Sequence, residues 1–227
     1  MSTIEHAVPT PTGRTCTPAD RVTKSLLAYG IIAGPLYVGL SLGQALTHPG
    51  FDLTRHAWSL LGAGPWGWVQ QVNLILTGAM VIAFAVGLAR TIASRWAPRL
   101  ISVFGVGTIV AGFCVADPVD GYPVGVATPA SPSWHGIGHM VSGSLGFLAM
   151  VVAALVLGRA FAREGRTGLA WWSRITGIFF ALSIVAVGTG SARPVLVLGF
   201  TAGVVAVFGL IAGVARAQYR LLSSKEK

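Results

Sequence analysis

Two histidines, His135 and His139, stand four residues apart where a long apolar run begins. On an α-helix this spacing places both imidazoles on one face, and such a pair forms half of many zinc sites. No glutamate follows the first histidine as in the zinc-protease signature, so other segments must complete the site. His56 and Asp117 are the candidates to do so, which gives a four-residue metal site with zinc as its expected ion.

Two other interpretations of these histidines stay open. The imidazoles could hydrogen-bond to Asp52, Asp117 or backbone carbonyls and so hold loops together. They could also sense pH or relay protons, because an imidazole changes charge near neutral pH.

More polar residues lie in the segment 48–68, which reads HPGFDLTRHAWSLLGAGPWGW. Residues 51–61 are predicted to form about three helical turns in the membrane interface, with a polar face that is either solvated or turned inward over a pocket. The residues that share this face by their spacing are Asp52, Arg55, His56 and Ser59. The tryptophans expected at the headgroup level are Trp58, Trp66 and Trp68.

Roles in a catalytic site follow from this placement. The candidate catalytic residues are Asp52, Ser59 and Asp120, with one of the two carboxylates as general base for a metal-bound water. Arg55 and Arg193 are the candidates to hold an anionic head group or oxyanion. Arg193 is also expected to pair with one of the nearby carboxylates, namely Asp52, Asp117 or Asp120.

The composition predicts that these residues belong to an integral membrane protein. Apolar residues make up 53% of the 227 residues, charged residues only 10%, and the mean hydropathy is +0.71, whereas soluble domains carry about 25% charged residues. An ordinary soluble enzyme, a disordered chain and a disulfide-stapled secreted module are therefore excluded. The net charge of +9 does not indicate nucleic-acid binding, because the basic residues lie in clusters between the apolar runs.

Six uncharged runs predict an all-α bundle of six transmembrane helices, since a span needs about 20 apolar residues. The runs are roughly 25–46, 69–89, 100–116, 136–158, 175–192 and 194–215. Between the third and fourth run, residues 116–139 are rich in proline and glycine and are predicted to lack regular structure, as binding loops and lids often do.

The basic residues predict the orientation. Fourteen of the sixteen Lys and Arg residues fall on one side of this topology, and only Arg55 and Arg193 fall on the other. By the positive-inside rule both termini are cytoplasmic, in the plasma membrane of a bacterium. The chain then divides into a disordered cytoplasmic tail over 1–24, a membrane domain over 25–216 and a cytoplasmic tail over 217–227.

Membrane lipids are the expected partners, and a homo-oligomer through small-residue helix faces is the second expectation. Glycines with the four-residue spacing of such faces are Gly30/Gly34, Gly39/Gly43, Gly199/Gly203 and Gly209/Gly213. The same spacing also serves packing within one bundle, and this is the simpler interpretation.

Three stretches carry a resemblance to a known family: the segment from His48 to Gly78, the FCVADPVDGYPVG loop and SWHGIGHMVSG. Over about residues 25–215 the chain resembles actinobacterial members of the membrane family known as domain of unknown function 998. The resemblance implies six membrane spans and no assigned activity. The set of outer His, Asp and Ser residues is also similar to that of alkaline-ceramidase-type membrane hydrolases, which have seven spans and a different distribution of ligands.

Three functions remain open from the sequence. The first is a protein with an outward-facing His/Asp pocket that binds a metal or a lipid without turnover. The second is a metal-dependent hydrolase acting on a lipid or another amphiphile. The third is a transporter or proton-coupled carrier, although ionisable residues are missing from the inner halves of all six runs.

Overall fold

Six long helices make up the chain in a computed structural model that describes residues 17–189 and 193–224. They are α1 (Pro18–Thr47), α2 (Gly67–Ala89), α3 (Trp96–Phe113), α4 (Trp134–Arg163), α5 (Thr167–Gly188) and α6 (Pro194–Ser224). Each is long and apolar enough to cross a membrane. The prediction of an all-α bundle with six membrane helices is confirmed.

The first and last helices extend beyond the predicted membrane domain. α1 begins at Pro18 because Thr17 and Asp20 form a capping box around a proline that suits the first helical position. Residues 18–24 are therefore helical, although the sequence placed them in a disordered tail. α6 likewise runs on to Ser224, well past the predicted boundary at 216. The remainder of both predicted tails, 1–16 and 225–227, lies outside the described residues.

The helices form a closed ring in chain order. Each packs against its neighbours in the sequence, and α6 closes the ring on α1. Glycines allow the closest approaches, as membrane helices require. A Cβ at Gly78 of α2 would lie 2.5 Å from the carbonyl oxygen of Gly105 on α3. A Cβ at Gly107 of α3 would lie 2.6 Å from the carbonyl oxygen of Ser142 on α4.

The predicted glycine faces divide between the interior and the surface of the ring. Gly30 and Gly34 face Phe84, Ala215 and Phe208 inside the bundle, so they serve packing within one chain. At Gly39 and Gly43 an added Cβ would have no atom within 4 Å. The homo-oligomer remains a prediction.

The interior of the ring holds aromatic rings and one polar network. The ring centroid of Phe147 lies 5.3 Å from that of Phe180 and 5.6 Å from that of Phe200. The ring centroid of Tyr37 lies 5.0 Å from that of Phe208. The polar network joins α1 to α2 through four buried side chains, which are Ser41, Gln44, Gln70 and Asn73.

One end of the ring, here called the loop end, carries the two long connections, residues 48–66 and 114–133. The predicted three-turn helix over 51–61 is wrong: the only helical part of the first connection is a 3-10 helix, η1 (Trp58–Ala63). Side chains compete with a helix here. The Asp52 carboxylate accepts from the Thr54 N–H at 2.8 Å, and His56 Nδ1 accepts from the Asp52 N–H at 2.9 Å. The connection 114–133 contains no helix, as expected.

Candidate functional site

The candidate residues all belong to the loop end, but the structure separates them, Arg193 excepted, into three clusters. The first cluster lines an open groove and contains Asp52, Arg55, His56 and Asp120. The second joins Asp117, Ser133 and His135. The third is a contact between Ser59 and His139.

His56 holds the first cluster together and is buried rather than open to a ligand. Because its Nδ1 accepts from the Asp52 N–H, its Nε2 carries the proton and donates to the Asp120 carbonyl oxygen at 3.2 Å. The ring also packs 5.5 Å from that of Tyr122, which is fully buried between the two connections. Hydrogen bonds from the Thr54 hydroxyl and N–H hold the pKa of the Asp52 carboxyl below its usual value.

The second cluster caps α4. The Ser133 hydroxyl accepts from the Gly136 N–H at 3.0 Å as the helix N-cap, and it donates to Asp117. The Ser133 N–H donates to the same carboxylate at 2.8 Å. These two hydrogen bonds lower the pKa of the Asp117 carboxyl. His135 lies 3.7 Å from this carboxylate, with its Nδ1 2.9 Å from the Val115 carbonyl oxygen.

The residues proposed for zinc do not fit a metal site. His56, His139 and the Asp117–His135 pair each have partners in different clusters. Within 17–189 and 193–224, no group of three or more His, Cys, Asp or Glu side chains is placed to hold a metal ion. The spacing of His135 and His139 puts them on one helix, but the loops supply carbonyls and hydroxyls to them instead of further ligands.

Ser59 and His139 form the third cluster, a contact between residues 80 positions apart in the chain. His139 Nδ1 lies 2.8 Å from the Cys114 carbonyl oxygen and 3.1 Å from that of Ala111. Carbonyls only accept, so Nδ1 carries the proton and Nε2 is free to accept. The Ser59 hydroxyl therefore donates to Nε2, at 3.1 Å. The imidazole is 8% exposed and fixed by the end of α3.

This contact lies in the wall of a cavity of about 260 Å³ inside the loop half of the ring. The walls come from η1 and all six helices and are almost entirely apolar, with Phe104, Phe147 and Phe208 among them. The lining also includes exposed residues of α4 and α5, namely Ser144 and Gly188.

Trp58 does not lie where its sequence context predicts. It was expected at the headgroup level with Trp66 and Trp68, which are indeed exposed, but Trp58 is only 7% exposed and lines the cavity. Its indole N–H is buried and has no hydrogen-bond partner among the described residues. No sequence signal separates it from the other two tryptophans, because its burial depends on η1 folding into the mouth of the ring.

The remaining candidates do not reach the cavity. Arg193 is exposed immediately before α6, and it forms no ion pair with Asp52, Asp117 or Asp120 within the part of the chain that the structure describes. Its predicted pairing is wrong. Residues 190–192 of the same turn lie outside the described residues. Ser142, three residues after His139 on α4, donates to the His139 carbonyl oxygen at 3.2 Å.

Comparison with known proteins gives a family but no activity. No curated protein and no solved structure matches the chain. One family model, described as a protein of unknown function (DUF998), matches residues 31–219, which include both loop-end connections and at least the greater part of each of the six helices. The chain therefore belongs to the DUF998 family, as its sequence motifs indicated.

Proposed function

We propose that the protein binds the apolar chain of a lipid or another amphiphile, with that chain in the cavity and its polar part at Ser59 and His139. The loop end would face outward in a bacterial plasma membrane with both termini cytoplasmic, because the basic residues cluster at the opposite end. The observation that carries this proposal is an apolar cavity with one polar corner.

The size and access of the cavity support this proposal. A void of about 150 Å³ is enough to hold one benzene molecule, and ligand pockets start at about 300 Å³. At about 260 Å³, the cavity lies just below this range, and it has room for part of an acyl chain. Because exposed residues of α4 and α5 line the cavity, we infer that an acyl chain enters sideways from the bilayer between these two helices, without leaving apolar surroundings.

The two other functions gain no comparable support. A metal-dependent hydrolase needs ligands around one point, and the candidates lie in separate clusters. For a carrier, no observation favours a path through the bundle, whose centre is filled by aromatic rings.

Photocrosslinking tests the binding. The protein is reconstituted in vesicles that contain a phosphatidylglycerol with a diazirine on one acyl chain, and crosslinked peptides are mapped by mass spectrometry. We expect crosslinks to the cavity faces of α4 and α5. Gly143→Leu should remove most of them, because Gly143 lines the cavity and an added Cβ there would have no atom within 4 Å.

Gly39→Leu is the matched control. Gly39 also lies within a helix with open space where a Cβ would be added, but it does not line the cavity. Crosslinking should be unchanged in this variant. Crosslinks spread evenly over lipid-facing helix surfaces, or equal loss in both variants, would show that the cavity holds no acyl chain.

A further inference from the structure

We propose that Ser59 and His139 form a nucleophile and general base that cleave a carboxylic ester of the bound amphiphile. The inference rests on the proposed binding, since the cavity would place the acyl chain beside Ser59. It adds a reaction, and it names the substrate class as acyl esters rather than lipids in general.

The geometry of the pair meets the requirements of an activated serine. A nucleophilic hydroxyl needs a base within about 2.6–3.2 Å, and that base needs a third group to orient it. Ser59 Oγ and His139 Nε2 lie 3.1 Å apart. The carbonyls of Ala111 and Cys114 fix the tautomer in which Nε2 accepts the Ser59 proton.

These two carbonyls belong to the last turn of α3 and its C-cap. A helix C-terminus carries partial negative charge, which favours a positive charge nearby. The end of α3 would therefore stabilise the imidazolium that forms when His139 takes the proton. This is the role that a carboxylate plays in a Ser-His-Asp triad.

A second observation points to a reacting group in the same place. The Trp58 indole N–H is buried and adjacent to Ser59 in the chain, and no residue within 17–189 and 193–224 hydrogen-bonds to it. Leaving such a donor unsatisfied costs about 1–3 kcal/mol, so an acceptor that binds beside the indole N–H would be stabilised. The oxyanion of an ester undergoing attack would be such an acceptor.

The reaction balances without a metal or an oxidant. Ser59 Oγ attacks the ester carbonyl carbon while its proton passes to His139 Nε2, and the carbon–oxygen bond to the alcohol then breaks as His139 returns the proton to the leaving oxygen. Water attacks the acyl-Ser59 ester in the same way. It releases the carboxylic acid and restores the Ser59 hydroxyl, so one ester and one water give one acid and one alcohol.

A long-chain alkyl fluorophosphonate tests this inference on the full-length protein in phospholipid nanodiscs. An activated serine attacks its phosphorus and releases fluoride, which leaves a stable adduct. We expect peptide mapping of the wild-type protein to find the adduct on Ser59. His139→Gln should slow labelling about 100-fold or more, the contribution usual for a general base.

Ser102→Ala is the control, because Ser102 lies on α3 outside the cavity lining and its hydroxyl donates to the Pro98 carbonyl oxygen of the same helix. Its labelling rate should equal that of the wild type. Trp58→Phe, which keeps an aromatic ring but lacks the N–H, should slow labelling if the indole stabilises the developing charge.

The outcomes separate this inference from the proposed binding. No adduct on Ser59 of the wild-type protein, or an unchanged rate in His139→Gln, would overturn the ester cleavage. If the diazirine lipid still crosslinks within the cavity in that case, the proposed binding is supported and only the ester cleavage is refuted. Peptide mapping of the wild-type protein tests the ester cleavage even if a variant does not fold, because it shows which serine reacts.

Discussion

The buried polar network between α1 and α2 leads to a quantitative prediction about stability. Asn73 is fully buried, and its Nδ2 lies 3.2 Å from the Tyr37 carbonyl oxygen, from Ser41 Oγ and from Gln70 Oε1. An amide nitrogen has two hydrogens, so at most two of these three contacts are normal hydrogen bonds at once. Two of the three acceptors lie on α1, which makes Asn73 a link between helices.

Asn73→Ala should therefore lower the free energy of unfolding by about 1–3 kcal/mol. Hydrogen bonds between membrane helices contribute about 0.6 kcal/mol on average and at most about 1.7, and up to two are lost. Thr77→Ala is the control, because in the described part of the chain the Thr77 hydroxyl donates only to Asn73 Oδ1, at 3.4 Å and within the same helix. We expect Thr77→Ala to lower the free energy of unfolding by less than half as much as Asn73→Ala.

A double-mutant cycle isolates the contact between helices. Ser41→Ala, Asn73→Ala and the double variant are unfolded with SDS in mixed micelles, and circular dichroism follows the loss of helix. We expect a coupling energy of about 0.6–1.7 kcal/mol between Asn73 and Ser41. Effects that add within about 0.3 kcal/mol would refute the hydrogen bond between Asn73 and Ser41.

Three further predictions concern the loop end. Tyr122→Phe should change stability little because the hydroxyl has no hydrogen-bond partner in the part of the chain that the structure describes. Tyr122→Ala should lower the free energy of unfolding by about 3–5 kcal/mol, measured by thermal unfolding. Gly64→Ala should strongly destabilise the protein in the same assay, since the added Cβ would overlap the Tyr122 hydroxyl oxygen. Gly168→Ala is the control, because an added Cβ at this helical position would have no atom within 4 Å, and it should leave the stability unchanged. The ionised Asp117 stabilises the loop above about pH 3.8, its ordinary pKa, and this stabilisation is lost as the pH falls through its lower folded-state pKa. As the pH falls from 5 to 2, the opening of residues 114–136, measured by backbone amide hydrogen exchange, should therefore increase more steeply in the wild type than in Asp117→Asn. Asp120→Asn should behave like the wild type.

Local chemistry in the chain was enough to predict the helical bundle. Long uncharged runs have only one stable form in lipid, because each backbone polar group must be satisfied within its own segment. The same argument brought His56, Asp117, His135 and His139 to one end of the bundle, where the structure has them. Helix ends were less predictable, since Thr17 and Asp20 can extend a helix past the apolar run.

The sequence by itself determined which end of the bundle holds the polar residues, and the tertiary structure decided which of them meet. Helical spacing relates residues on one element only, so it paired His135 with His139 and placed Ser59 with Asp52. The actual partners come from different segments: Ser59 meets His139 because η1 folds into the ring beside α4. The burial of Trp58 and the cavity beside it follow from the same placement, which depends on how helices far apart in the sequence, such as α1 and α6, pack together.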